Sequence, residues 1–232
     1  MKAIILAAGS RLQFGDGRAI PPYLCEVDGQ LVLERKLNQL ASLASTETTL
    51  AVTEEDARDF GVPDLLRVLD DHCRVFRVSH KTAGALCTAL LAIDGMSRAD
   101  DLLITNVTDL VAVDHAAVRD SFGRAGHQAG AVIFESVNPR YSFVRTDQSG
   151  CVLEAAEKRA ISRHATTGVY WFQSVGLFEE LSFRHIVKSS LGRHPYYVCP
   201  VLNEVILAGG TVGSYRVEAA DYRPIKDPSA AA

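Results

Sequence analysis

Met1-Lys2-Ala3-Ile4-Ile5-Leu6-Ala7-Ala8-Gly9-Ser10-Arg11-Leu12-Gln13-Phe14 opens the chain. It reads as a buried β-strand, Ala3 to Leu6, that breaks at once into a loop of small residues, Ala7 to Ser10, with the cation Arg11 behind it. Residues without bulky side chains let the chain turn sharply and bring backbone N–H groups up to an anion, most often a nucleoside phosphate. A nearby arginine can pair with two phosphate oxygens at once. Leu6, Ala7, Ala8, Gly9 and Ser10 are therefore candidate phosphate-binding positions, with Arg11 as their cation. A plain β-to-α turn at the edge of an α/β sheet explains the loop equally well.

Outward from this stretch, strand and helix patterns alternate, the mark of βαβ units and a mostly parallel sheet. Strands are expected at Lys2 to Leu6, Thr48 to Thr53, Arg74 to Val78 and Leu102 to Asn106. Helical spacing joins Leu33, Leu37 and Leu40, then Leu65, Leu66 and Leu69 after Pro63-Asp64, then the Ala- and Leu-rich run Ala85 to Ile93. A polar helix from Asp114 to Arg124 leads to a strand at Ala129 to Glu135. The second half changes character: Tyr141 to Arg145 and Cys151 to Ala155 flank the turn Asp147-Gln148-Ser149-Gly150, a hairpin signal. Thr167 to Phe172, a helix around Leu177 to Ser190, a short helix Pro200 to Ala208 and a strand Val212 to Val217 follow. No repeat or linker interrupts the chain, which reads as one domain: residues 1–135 as a parallel half, 136–220 as a smaller antiparallel lobe, and 221–232 as a tail.

At 232 residues, 47% apolar and 22% charged, the composition is that of a globular protein large enough to need no staple. A net charge of −4 spread over both halves argues against nucleic-acid binding. The five cysteines, Cys25, Cys73, Cys87, Cys151 and Cys199, are odd in number and lack a Cys-x-x-Cys pair, so they read as reduced thiols of a cytoplasmic protein. Cys87 falls on an apolar helix face and reads as a core thiol. The opening apolar run is too short for a signal-peptide core, and no run approaches the ~20 residues of a membrane span. His72, His80, His115, His127, His164, His185 and His194 show no metal-ligand spacing. Gly15-Asp16-Gly17 is read as a flexible turn.

Five segments then resemble sugar-phosphate nucleotidyltransferases, and in that family's order. They are Ile4-Ile5-Leu6-Ala7-Ala8-Gly9, Lys81-Thr82-Ala83-Gly84-Ala85-Leu86-Cys87-Thr88-Ala89-Leu90-Leu91, Glu154-Ala155-Ala156-Glu157-Lys158-Arg159-Ala160-Ile161-Ser162, Ala165-Thr166-Thr167-Gly168-Val169-Tyr170-Trp171-Phe172, and Tyr196-Tyr197-Val198-Cys199-Pro200 with Asn203-Glu204. The nearest likeness is to the capsule and surface-polysaccharide branch, related to glucose-1-phosphate thymidylyltransferase and phosphocholine cytidylyltransferase, and it covers the chain to about residue 217. The resemblance implies a Rossmann-like nucleotide-diphospho-sugar transferase fold of GT-A-like type, with a mixed, mostly parallel sheet and a small antiparallel acceptor-side lobe. It implies transfer of NMP from a nucleoside triphosphate to a phosphorylated sugar or alcohol with Mg²⁺ and release of pyrophosphate. Thr82, Gly84 and Thr88 would read the base, Glu157 and Lys158 with Thr167 and Gly168 would hold the acceptor, and Arg11 and Lys158 would act on the phosphates.

The chain departs from the family at three places. A first loop shortened by two residues aligns Ser10-Arg11-Leu12 and keeps Arg11, whereas the ungapped reading puts Gln13 on the family arginine. The family's Pro-Lys-Pro falls on Pro21-Pro22-Tyr23, ahead of Val27-Asp28-Gly29, so Pro22 replaces a lysine and Arg18 is the nearest cation. The metal aspartate falls on Thr108 of Asn106-Val107-Thr108, and only an extra loop residue brings Asp109 to the metal. In that case Asp109 faces the cleft and Thr108 faces away. The family's C-terminal Gly-Thr-Pro-Glu-Asp is missing as well; here the chain runs Asp221-Tyr222-Arg223-Pro224-Ile225-Lys226-Asp227. Two functions stay open: an enzyme that uses Arg11, Arg18 and Asp109 as displaced groups, or a degenerate member that binds ligands and acts through a partner enzyme of its pathway. Glycosyl transfer on the same fold is a third. No membrane or nucleic-acid partner is expected, and a homo-oligomer is compatible with either function.

Overall fold

The computed structural model describes residues 1–43, 47–189 and 195–225. Ser190, His194 and tail residues 226–232 lie outside them. The strands that carry the fold are β1 (Lys2–Leu6), β2 (Glu47–Thr53), β3 (Arg74–Val78), β4 (Leu102–Asn106), β5 (Asp109–Val111), β6 (Ala129–Glu135), β7 (Ser142–Thr146), β8 (Val152–Glu157), β9 (His164–Phe172), β10 (Val212–Arg216) and β11 (Tyr222–Pro224). The helices are α1 (Val32–Leu40), α2 (Glu54–Asp59), α3 (Val62–Leu69), α4 (Ala85–Ala92), α5 (His115–Arg124), α6 (Val175–Ser189) and α7 (Val201–Leu207).

One nine-stranded sheet runs β8-β7-β9-β4-β1-β2-β3, with β6 joined to β9 and β10 joined to β6. The strands β4, β1, β2 and β3 are parallel, as crossover helices require. From β9 onward the pairs turn antiparallel, with β6 against β10 as the exception. The expected α/β class and the antiparallel lobe are both present. Two-residue ladders at Leu12–Gln13/Ala19–Ile20 and Glu26–Val27/Gln30–Leu31 occupy the segment after the first loop; runs this short leave no periodicity in the sequence.

Period-two alternation along β1 separates the core into two layers. Ala3 and Ile5 pack with Leu33 and Leu37 of α1, Val62 of α3 and Phe122 of α5. Ile4 and Leu6 pack with Leu86 and Ala89 of α4, Phe178 of α6 and Val205 of α7. Asp114 caps α5, its carboxylate accepting from the backbone N–H groups of Ala116 at 2.9 Å and Ala117 at 3.3 Å, so this acidic residue is spent on a helix end. Helix α2 escapes the sequence reading because Glu-Glu-Asp-Ala-Arg-Asp has no apolar stripe. Thr53 starts it by accepting from Asp56 N–H at 3.0 Å. Cys87 is only half-buried, so it is not the core thiol its helix face suggested. No helix among the described residues is long and apolar enough to cross a membrane.

His115, in the first turn of α5, is fully buried, and neither ring nitrogen makes a hydrogen bond of normal geometry. Burial, and then the positive charge of Lys36, push its pKa down to about 4. A base with a depressed native pKa leaves the unfolded chain holding more protons between the two values. Its destabilisation is therefore absent near neutrality and accumulates as pH falls from 6.5 toward 4. Over that window His115 is expected to remove on the order of 3 kcal/mol. Urea unfolding at pH 7 and pH 4.5 measures it. His115→Phe should flatten the dependence, and an unchanged slope would refute the assignment.

Candidate active site

The carboxyl ends of β1 and β4 open on a cleft of about 610 Å³, where open α/β sheets place their ligands. Its first wall is the opening loop: Leu6, Ala7, Ala8, Gly9, Ser10 and Arg11 all line it. The guanidinium of Arg11 is not turned to an open space, however. It donates to Asp56 at 2.8 Å, Glu55 at 3.1 Å and Asp59 at 3.3 Å, and lies over the Phe60 ring. Helix α2 thus gathers three carboxylates on the one cation of the loop. Pro22 lines the same wall. Arg18 does not; it is exposed and paired with Asp16 at 2.6 Å.

The second wall is the turn before α4. Thr82, Gly84 and Thr88 border the same cleft as Gly9 and Arg11. The Thr82 and Thr88 hydroxyls are 2.7 Å apart, and Thr82 also donates to Gly84 O at 2.9 Å. Gly84 has φ +141° and is pressed against Tyr196, whose backbone N and O a Cβ there would approach to 2.6 and 2.3 Å. Tyr196 N–H donates to Ala83 O at 2.8 Å, and Leu86 N–H donates to Tyr196 O at 3.1 Å. The Tyr196–Tyr197 segment is thereby clamped to the turn, and its second tyrosine faces the cleft.

The third wall is the end of β8. Glu157 accepts from the Ser142 hydroxyl, and Lys158 donates to Tyr197 Oη at 2.8 Å while lying over its ring. Neighbours on an extended strand point apart, yet both residues line the cleft. The left-handed backbone of Lys158, φ 52°, ends the alternation. The hydrogen bond to Tyr197 holds the Lys158 pKa above the ordinary lysine value. Asn203 of α7 braces this strand by accepting from Ala155 N–H and donating to Ala155 O, both at 2.8 Å. Cys199 lines the same end as a thiol, its pKa pushed up to about 12 by burial, with Glu157 adding to it.

Thr167 corrects the expected acceptor set. It is fully buried, does not line the cleft, and donates to Val132 O at 3.2 Å. Thr166 and Gly168 line the cleft instead, because β9 sends alternate residues to opposite faces. Gly168 itself, at φ +82°, leaves room for the floor: a Cβ would stand 2.5 Å from Asp109 Oδ2 and 2.7 Å from Asn106 Nδ2.

That floor is Asp109. It lines the cleft but is only 2% exposed. Oδ2 accepts from Asn106 Nδ2 and Oδ1 from the Tyr222 hydroxyl, each at 2.8 Å. Thr108 also lines the cleft rather than facing away. Behind Asp109, the fully buried Lys36 of α1 donates to the Asp109 carbonyl and to Thr105 Oγ1 at 3.2 Å. Burial lowers the Lys36 pKa to about 8, against the pull of Asp109. Burial and Asp109 push the Tyr222 pKa well up, so its hydroxyl stays a donor. Sequence reasoning missed both residues. The signal for Lys36 was its place on the Leu33-Leu37-Leu40 face, where a charge needs an internal partner. Tyr222 had no such signal. Lys81 and Arg140, also unassigned from the sequence, complete the rim.

No protein-family model matches the chain, and no curated protein sequence matches it. Solved structures do. A nucleoside-diphosphate-sugar pyrophosphorylase from Vibrio cholerae RC9 superposes with a TM-score of 0.81 at 22% identity, over 99% of this chain and 97% of that one. An inositol-1-phosphate CTP transferase from T. maritima gives 0.76 at 17%, over 99% and 90%. HddC from Yersinia pseudotuberculosis, complexed with GMP-PN, gives 0.69 at 15%, over 99% and 96%. The mixed, helix-covered sheet of this chain is the Rossmann-like fold shared by these solved structures.

Proposed function

We propose that the cleft binds a nucleoside triphosphate and a phosphorylated sugar or alcohol and transfers NMP to the latter, in a cytoplasmic step toward surface-polysaccharide or related conjugate synthesis. One observation carries this reading: the opening loop, the Thr82–Thr88 turn and the Glu157–Lys158 pair converge on a single cleft. In the reaction an acceptor-phosphate oxygen attacks the α-phosphorus, the bond from that phosphorus to its bridging oxygen breaks, and pyrophosphate leaves. Such chemistry rests on positioning and charge. The loop amides hold the triphosphate, with Arg11 joining them on exchanging its α2 carboxylates for phosphate oxygens, while the 82–88 turn holds the base, Glu157 the acceptor hydroxyls and Lys158 its phosphate.

Mg²⁺ is the cofactor this reaction calls for, and Asp109 is the residue to hold it. Its carboxylate is a hard oxygen donor on the cleft floor, beside the close approach that Gly168 permits, and Mg²⁺ bound with phosphates commonly takes only one or two carboxylates. When bound, the ion neutralises charge on the phosphates. Among the described residues no group of three His, Cys, Asp or Glu side chains could hold a metal by itself, so the remaining ligands would come from the substrate phosphates and water.

A second reading, a catalytically impaired member acting with a pathway enzyme, is favoured by a different observation. The triphosphate end has Pro22 for a lysine, and its Arg11 is held by three carboxylates. Pyrophosphate release from the four NTPs with sugar phosphates, phosphocholine and inositol phosphate, with Mg²⁺ or Mn²⁺, separates the two. Turnover dependent on both substrates is expected. Thermal stabilisation by a nucleotide without pyrophosphate release would transfer the weight to the second reading, and neither signal would defeat both.

A further inference from the structure

The residues around Asp109 say more about the metal than its own carboxylate does. Strand β11 pairs antiparallel with β5, setting Tyr222 opposite Val111 and Pro224 opposite Asp109. Backbone hydrogen bonds extend the pairing at both ends, Ala112 N–H to Asp221 O at 2.8 Å and Ile225 N–H to Thr108 O at 2.7 Å. This strap carries the Tyr222 side chain under the cleft. Its ring packs against Phe134 at 4.5 Å and Tyr141 at 5.9 Å between centroids, and its hydroxyl ends on Asp109 Oδ1.

We infer that Tyr222 is a positioning residue that fixes the buried Asp109 carboxylate and weakens it as a ligand for a divalent cation through the hydroxyl hydrogen bond on Oδ1. This rests on the reading of Asp109 as the metal carboxylate. The two donors on Asp109 differ in what they can become. The Asn106 amide can turn to offer its oxygen to a cation, whereas a neutral phenol can only keep donating, taking one of the two lone pairs on Oδ1 and drawing negative charge away from the carboxylate. A hydroxyl-to-carboxylate hydrogen bond is of the stronger, charge-assisted kind, and the charge it draws is lost to the metal. The residue thereby sets metal affinity through Asp109.

Tyr222→Phe tests it, since the variant keeps the ring packed and removes only the hydroxyl. Mn²⁺ binding to the full chain is followed by electron paramagnetic resonance, alone and with each of the four NTPs. Tyr222→Phe is expected to bind Mn²⁺ about tenfold more tightly than the parent, and adding Asp109→Asn should abolish the gain. In melts, the Mg²⁺-induced rise in Tm should be larger for Tyr222→Phe than for the parent, which a merely structural role would not produce. Equal Mn²⁺ affinities, no Mn²⁺ binding to either protein, or a gain that survives Asp109→Asn each overturns the inference. NTP-induced thermal stabilisation without metal reports separately on the cleft: its presence beside equal Mn²⁺ affinities removes only the role of Tyr222, and its absence removes the nucleotide reading as well.

Discussion

Gly84→Ala is expected to abolish nucleotide binding and to destabilise the protein by about 3 kcal/mol. Two independent penalties meet at this residue. Its φ of +141° belongs to backbone that L side chains rarely adopt, and the added Cβ would stand 2.3 Å from Tyr196 O. Relief by movement is closed off, because Tyr196 is tied by the two hydrogen bonds to Ala83 and Leu86 that join it to this turn. Pushing it away would break both and would carry Tyr197 off Lys158. Urea unfolding of the variant beside the parent, with nucleotide-induced shifts in Tm, measures the two effects. A stability change within ~0.5 kcal/mol, the range of ordinary surface substitutions, would show that the turn is not constrained as described.

Asp109→Asn should lower kcat/KM for pyrophosphate release on the order of 10²–10³-fold, the size usual for one lost electrostatic contact in a transition state, while the fold persists. The amide is isosteric with the carboxylate. Its oxygen can still accept from Asn106, and its NH₂ can donate to a Tyr222 hydroxyl that now accepts, so the buried network is not left with an orphan. What disappears is the negative charge. Kinetics with Mg²⁺ and circular dichroism on the same preparation check both halves, and parent-like turnover in the variant would remove Asp109 from the reaction.

Much of the architecture was legible in the sequence because it is local. The Ala3–Leu6 run, the 33/37/40 spacing and the Asp147–Gly150 turn each act through residues within a few positions of one another, and each produced the element expected of it: β1, α1 and the β7–β8 hairpin. Boundaries shifted where pairing partners lengthen an element, as in β9, which begins at His164 rather than Thr167. The short ladders near residues 12–31 and helix α2 were invisible because they carry no periodic apolar signal.

The candidate site divides along the same line. The small-residue loop stood out because backbone geometry and residue type are written in adjacent letters, whereas the glycine turn and the Glu157–Lys158 pair were picked out by their resemblance to the nucleotidyltransferase motifs. The state of each charge did not stand out, since it depends on partners brought in by tertiary contacts. Arg11 meets the carboxylates of α2 across 44 to 48 positions, and Asp109 meets Tyr222 across 113. Strand alternation decided that Thr166, not Thr167, reaches the cleft. The sequence by itself determined the periodic strands and helices and the hairpin turn between β7 and β8. Only the packed sheet decided which charges neutralise one another, because Coulomb and hydrogen-bond energies depend on separations of a few ångströms that no spacing along the chain specifies.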